Sequence, residues 1–508
     1  MPSASNDPTT NSSLLWRAVV AVSVSATVGW LAHITGIGAT TPQVMAVSIF
    51  VLIVSATLFF WEFRLAIAFL GIAMLLGTRV MTLEEMIKST ELDIILFLVG
   101  MMTLVGVLKD LGLFSWMIHI VVSMKRMNGM LFSLILMSLS ALMASVVDEV
   151  TSIVFMLALV FQVCDTLKVR PIPFVLMSVM ATNIGSSATM LGNPVGILIG
   201  TKAGLTFNDF IKWATPVTAM CIIATLIILL LVFRRDIHLL SERLEARRNE
   251  QLGLGPLVRI PYRRGLLILI SAVTLIALHH TIEEKLGVAR NTILLVAPLA
   301  IAGILMVYRH KRARHYIESE VEWWTLLFFM MLFSVAGALE HTGITKNLAD
   351  KFVGSVGHHK ELLTPLIISV TALGSAFVDN IVFVAAFIPV VKQLDQTVLY
   401  WALLFGACFG GNITAIGSTA NIVALGMLEK RHRIGISFME WLKVGALIGL
   451  VTSLIAWGSL VAMQHIFPHH LQIKHSERPQ QSQVIDGNES VTDKPSANDA
   501  VLVVPEEN

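Results

Sequence analysis

Ala181-Thr-Asn-Ile-Gly-Ser-Ser-Ala-Thr-Met-Leu-Gly-Asn-Pro-Val-Gly-Ile-Leu-Ile-Gly200 lies among apolar segments long enough to cross a bilayer, yet its composition opposes a continuous membrane helix. Gly185, Gly192, Gly196 and Gly200 weaken helix, and Pro194 removes a backbone donor. Asn183, Ser186, Ser187, Thr189 and Asn193 add competing hydrogen bonds. Unpaired backbone groups are costly in hydrocarbon, so a break at that depth survives only inside protein or against a wet cavity. The alternative is a polar loop outside the membrane. A second stretch of the same kind, Gly410-Gly-Asn-Ile-Thr-Ala-Ile-Gly-Ser-Thr-Ala-Asn-Ile-Val-Ala-Leu-Gly426, favours the buried break.

Of the 508 residues, 55% are hydrophobic and only 14% charged, with a mean hydropathy of +0.77. Soluble domains carry roughly 25% charged residues, which excludes an ordinary soluble fold. Apolar runs of about 18 residues or more recur from Leu14 to Phe467, the signature of an all-α polytopic membrane protein. A net charge of +2 gives no pointer to nucleic acid. Cys164, Cys221 and Cys408 are isolated in apolar surroundings and read as small core residues, neither disulfides nor a metal site. Residues 1–13 are polar and read as a disordered N-terminus. With no basic n-region or clear cleavage site, Leu14–Leu31 reads as a retained first helix.

Met130–Val163 is too long for one straight span and holds Asp148 and Glu149 in its middle. The first transport repeat, with its scaffold helices, is expected over residues 14–233. A basic linker follows over 234–264 and the second repeat over 265–467, with a disordered tail over 468–508. Two spans separate the linker from a second basic cluster, Arg309-His-Lys-Arg-Ala-Arg314. Both therefore fall on one face, and the positive-inside bias makes that face, and the tail, cytoplasmic. The repeat itself is visible: Glu322 to Glu340 echoes Glu91 to Lys109, and Ser375-Ala-Phe-Val-Asp-Asn-Ile381 echoes Ala144-Ser-Val-Val-Asp-Glu-Val150, each 231 positions on. Gly411 to Gly417 then parallels Thr182 to Gly192, with a few extra residues in the first copy. Matching breaks in two halves point to a transporter's midplane binding site.

Carboxylates inside a membrane are functional by default, which singles out Asp148, Glu149 and Asp379. Each also suits the simpler role of capping a helix at a break, and both roles can coexist in one cavity. A proton and a metal cation competing for one carboxylate give a physical basis for antiport. Thr151, Asn183, Thr189, Asn193, Asn380, Asn412, Thr414, Ser418 and Asn421 supply neutral oxygens and amides nearby, and Gly185, Gly192, Pro194, Gly411 and Gly417 break the backbone. Oxygens suit a hard cation such as Na⁺, whereas free N–H groups at half-helix N-termini suit an anion. His279-His280 with Glu283-Glu284 reads as a helix end at the membrane surface rather than a metal site. No HExxH, GxSxG, Walker or Rossmann pattern is present, and no cofactor is expected beyond H⁺ and possibly Na⁺ as coupling ions.

These motifs resemble the ion transporter superfamily, in the group that holds arsenite efflux permeases, NhaD-type sodium/proton antiporters and the melanosomal P protein, with its citrate-transporter-like domain. The resemblance runs from about Arg64 to Trp457. It rests on Thr182-Asn183-Ile184-Gly185 through Ala188-Thr189 and Gly192-Asn193-Pro194, on Phe377-Val378-Asp379-Asn380-Ile381, and on Gly410-Gly411-Asn412 through Ala420-Asn421. It implies two inverted repeats, each with a re-entrant hairpin and a broken helix, and about 11–12 transmembrane segments. It also implies a homodimer embedded in lipid and secondary transport of a small inorganic ion. Two departures stand out. Relatives carry Asp-Asn where this chain has Asp148-Glu149, and often Gly-Asp-Pro where it has Gly192-Asn193-Pro194, so one carboxylate has moved from the break to the preceding helix.

The sequence therefore predicts no enzyme but a secondary ion transporter of the cell (inner) membrane, a Na⁺/H⁺-type antiporter with Asp148, Glu149 and Asp379 as proton and cation carriers. Export of arsenite or another small anion is the alternative within transport. An intramembrane di-acid hydrolase would leave the duplicated breaks without a role, and a passive channel would show no proton coupling.

Overall fold

The structure, a computed structural model, describes residues 8–124, 126–249, 261–289, 291–356, 362–394 and 396–466. The expected tail and residues 250–260 of the linker lie outside the described residues. Among the described residues there is no strand. The chain opens with α1 (Pro8–Ile34) and α2 (Thr41–Phe59), packed on each other, then α3 (Arg64–Gly77), α4 (Leu83–Lys88), α5 (Leu92–Asp110) and α6 (Leu113–Val122). Because α1 begins at Pro8, residues 8–13 are helical rather than disordered, and 1–7 lie outside the described residues.

Four helices then build the first half of the core: α7 (Gly129–Val146), α8 (Glu149–Leu167), α9 (Ile172–Gly185) and α10 (Pro194–Ala203). A short α11 (Phe207–Asp209) runs through a π-helical turn into α12 (Thr215–Val232). The linker is partly ordered as α13 (Arg234–Asn249), which buries Ile237, Leu240 and Leu244 and packs on α7, where Ser241 Oγ accepts from Gly129 N at 2.9 Å. Next come α14 (Arg263–Ala277), α15 (His279–Leu286), α16 (Thr292–Tyr308), α17 (Ala313–His315), α18 (Trp323–His341) and α19 (Ile344–Val356). The second half of the core is α20 (Leu363–Phe377), α21 (Asn380–Leu394), α22 (Thr397–Gly410) and α23 (Thr419–His432), and α24 (Phe438–Ile466) closes the bundle.

Among the described residues, eight helices are long and apolar enough to cross a membrane alone, and two bent pairs raise this to ten. The halves of a broken span are too short to be counted this way: α9 and α22 have 14 residues each, about 21 Å at 1.5 Å per residue.

The repeat is a repeat of structure. Helices α5 and α18, α6 and α19, and α8 and α21 start 231 positions apart. The expected extra residues in the first break are absent, however. Helices α9 and α22, and likewise α10 and α23, start 225 positions apart, so the six-residue difference lies between α8 and α9. Shared Asn-Ile and Gly residues drew the sequence comparison out of register at Asn183. Both breaks are eight residues long, Ser186–Asn193 and Gly411–Ser418. Gly196 and Gly200 of the opening stretch lie inside α10 rather than in the break, where a Cβ would press on Met190. Close packing there offsets the roughly 1 kcal/mol that glycine costs a helix.

Packing crosses between the halves. Helix α10 packs on α21 and α22, and its counterpart α23 packs on α8 and α9; likewise α3 packs on α18 and α16 on α5. Lys109 at the end of α5 pairs with Glu320 just ahead of α18, while Glu91 at the start of α5 shares a small crevice with Glu340 at the end of α18. Those two equivalent helices therefore run antiparallel.

Candidate functional site

Helix α7 ends at Val146 and α8 begins at Glu149, with the two helices packed against each other. At the turn, the Asp148 carboxylate accepts from Thr151 N at 2.8 Å and caps α8, a bond worth about 1 kcal/mol to the helix. Asp379 stands at the matching turn, where it accepts from Ile381 N at 3.2 Å and from Thr419 Oγ1 at 2.5 Å. The break residues stitch these turns in place. Thr189 donates its hydroxyl to Ser145 O and Thr414 to Ala376 O, equivalent bonds to the carbonyl three residues before each aspartate.

Both turns open on one cavity of about 260 Å³. Asp148, Glu149, Thr151, Asn193, Asp379 and Asn380 line it, as do Pro194 and Thr419. The structure thus brings together carboxylates 231 positions apart in sequence. Glu149, 4% exposed, is the acid that caps nothing. Its oxygens lie 3.3 Å from Ser186 Oγ and 3.5 Å from Ser418 Oγ, hydroxyls contributed by the two different breaks. Asn193 caps α10 through Oδ1, which accepts from Gly196 N at 2.8 Å, and its Nδ2 donates to Ser186 Oγ at 2.8 Å. Asn193 and Glu149 are therefore one hydroxyl apart, so the displaced carboxylate remains in the same chain of hydrogen bonds.

The remaining predicted residues lie behind the cavity wall. Asn183 Nδ2 donates to Asn412 Oδ1 and Asn421 Oδ1, both at 2.8 Å, and its Oδ1 accepts from Ser418 Oγ at 3.2 Å. Asn421 Nδ2 donates in turn to Gly411 O and Thr414 O. This amide knot fastens the breaks to each other. Gly192 and Gly417 hold their turns tight: a Cβ on Gly192 would overlap Ser186 O, and one on Gly417 would overlap Gly411 O. Gly185 likewise lies against the backbone of Ala141.

Four charged residues at the site, Glu322, Arg64, Lys109 and Glu320, were missed from sequence. Glu322, read only as a repeat marker, lines the cavity. Arg64, which opens α3, is 7% exposed and donates from Nη2 to Thr325 Oγ1 at 2.9 Å. A charge opening an apolar helix looks like an interfacial residue, and only the crossing of α3 onto α18 buries it. Lys109 and Glu320, 3.0 Å apart, close the list of charges in the cavity wall. At this end of the bundle Arg264 Nη1, at the end of the linker, donates to Tyr308 Oη, beside the second basic cluster, at 3.2 Å. The pair questioned as a metal site is used structurally, with His279 Nδ1 2.7 Å from Ile276 O and Glu283 Oε1 accepting from Ile293 N.

A family model described as a citrate transporter matches residues 50–406. A Mycobacterium tuberculosis protein named as an uncharacterized transporter is 34% identical over 405 residues, covering 77% of this chain and 91% of its own. A 46 kDa membrane protein of Mycobacterium leprae is 32% identical over 415 residues, 77% of this chain and 91% of its own. The P protein of Mus musculus is 26% identical, with 77% of this chain matching 56% of that protein. Among solved structures, the YdaH transporter of Alcanivorax borkumensis aligns with a TM-score of 0.48 at 18% identity, over 74% of this chain and 86% of its own.

Proposed function

The chain belongs to the citrate transporter family, and on that premise we propose that this membrane transporter is a secondary antiporter exchanging a small inorganic cation of the Na⁺ type for protons. One observation carries the choice of a cation. Four helices, α8, α10, α21 and α23, begin at the breaks and turns, and an anion would need their free N–H groups. At each start the chain's own side chain already takes one of those donors, Thr151 N by Asp148, Gly196 N by Asn193, Ile381 N by Asp379 and Ala420 N by Ser418, which leaves fewer for an anion. What faces the cavity is instead an excess of carboxylates, Asp148, Glu149, Glu322 and Asp379, with Lys109 neutralised by Glu320. Oxygen-rich, anionic walls suit a hard cation, and the same oxygens accept protons when it leaves.

Export of arsenite or uptake of a carboxylate anion is the second reading, favoured by the family's description and by Lys109 in the wall. The hydrolase reading has no support in a family of transporters. The antiparallel run of α5 and α18 supports inverted repeats, and the Arg264–Tyr308 contact supports a cytoplasmic side for both basic loops. A homodimer in the cell membrane and a cytoplasmic tail complete the proposal.

The test is flux in proteoliposomes loaded with a pH-sensitive dye, to which Na⁺, Li⁺, arsenite and di- and tricarboxylates are added in turn. Proton movement is expected on addition of Na⁺ or Li⁺. Silence with both alkali cations, together with a response to a carboxylate or arsenite, would replace the cation reading with the anion one.

A further inference from the structure

Arg64 is a permanent charge set into the wall behind the cavity. Its guanidinium lies 4.3 Å from the ring centroid of Trp61 and 5.4 Å from that of Phe328. Trp61, Phe328 and Asp379 line a single narrow crevice. Its hydrogen-bond partner Thr325 sits in the cavity wall and donates to Glu322 Oε2 at 3.2 Å. Nε is buried with no partner, and among the described residues no carboxylate closes a salt bridge with this arginine. Its charge is therefore not consumed in one contact: the Thr325 hydroxyl links it to Glu322, ahead of α18, and Trp61 beneath it shares a crevice with Asp379, at the start of α21. Burying a guanidinium is expensive, and a fold that needed only packing here would be served by an apolar side chain.

We propose that Arg64 biases the site toward monovalent cations: it offsets one of the four carboxylates at the cavity, and so weakens the binding of a divalent cation more than that of a monovalent one. The argument is electrostatic. Repulsion from a fixed charge doubles when the ion's charge doubles, so Arg64 disfavours a divalent ion by one extra unit of the same interaction. Aromatic faces at Trp61 and Phe328 hold the guanidinium in place without neutralising it. This inference rests on the cation reading given above.

The full-length chain in dye-loaded proteoliposomes tests it, with Na⁺ and Ca²⁺ titrated separately. Wild type, expected to respond to Na⁺, fixes the reference ratio of half-saturating Ca²⁺ to Na⁺. Arg64→Gln should lower the ratio of half-saturating Ca²⁺ to Na⁺ about tenfold or more, and Arg64→Lys, which keeps the charge, should stay near wild type. An arginine that only supports the fold would depress both responses equally, and an unchanged ratio in Arg64→Gln overturns the proposal. If Arg64→Gln does not accumulate, Glu322→Gln should move the ratio the opposite way and the charge-balanced R64Q/E322Q should return it to wild type; an unmoved ratio in Glu322→Gln, or one still displaced in R64Q/E322Q, overturns the proposal as well. A wild type silent to every cation would instead remove the antiport reading beneath it.

Discussion

Asn183 Nδ2 donates to Asn412 Oδ1 at 2.8 Å across the two repeats, although the two asparagines are not equivalent positions. In the register of the helices, Cys408 stands where Asn183 does and Ser187 where Asn412 does. The contact thus has no counterpart by the symmetry of the repeats among the described residues, and Trp441 of α24 holds its far side by donating from Nε1 to Asn412 O at 3.0 Å.

Removing that contact should destabilise the fold before it touches chemistry. Asn183→Ala leaves the Asn412 and Asn421 oxygens buried without their donor, at about 1–3 kcal/mol for each unsatisfied group. The thermal midpoint of the detergent-solubilised protein is expected to fall. An unchanged midpoint would mean that the amide knot does not hold the breaks together.

Asp148 has two roles that substitution can separate. Asparagine is as good an N-cap as aspartate, so Asp148→Asn should keep stability within about 1 kcal/mol while abolishing cation-driven proton movement. Asp148→Ala should lose both transport and a further ~1 kcal/mol of stability. The same logic applies to Asp379→Asn. If both Asn variants transport normally, these carboxylates are caps and nothing more.

The hydrogen-bond chain Glu149–Ser186–Asn193 predicts that a carboxylate at either end serves the site. Glu149→Asn should be inactive, and the exchange E149N/N193D should recover a measurable part of the flux. No recovery in a folded double variant would place the essential charge at Glu149 alone.

Glycines at the two breaks should tolerate no side chain. Gly192→Ala and Gly417→Ala force a Cβ onto backbone carbonyls, with an expected loss of about 1–3 kcal/mol or more and reduced yield of folded protein. Gly426, in α23 with nothing within 4 Å of an added Cβ, provides the contrast: Gly426→Ala should stabilise by about 0.5–1 kcal/mol. Thermal denaturation of the three variants side by side measures both effects.

Sequence alone determined that this is a helical membrane protein built twice over, where each half breaks, and which three acids interrupt its apolar runs. Those features are local. Apolar run length, helix-breaking residues and the cost of a charge in hydrocarbon are all written along the chain. Tertiary structure decided the rest: that α10 and α23 each pack on the opposite repeat, and that Glu149 meets Ser186 and Ser418 from different breaks. It also decided that Asn183 fastens rather than lines the cavity and that Arg64 is buried. Even the register of the repeats was hidden, because identity at Asn183 and Asn412 outweighed a six-residue difference in a connection that carries no pattern. Which side chains share a cavity depends on how rigid helices cross. Crossing is set by packing between residues more than two hundred positions apart, which no run of sequence records.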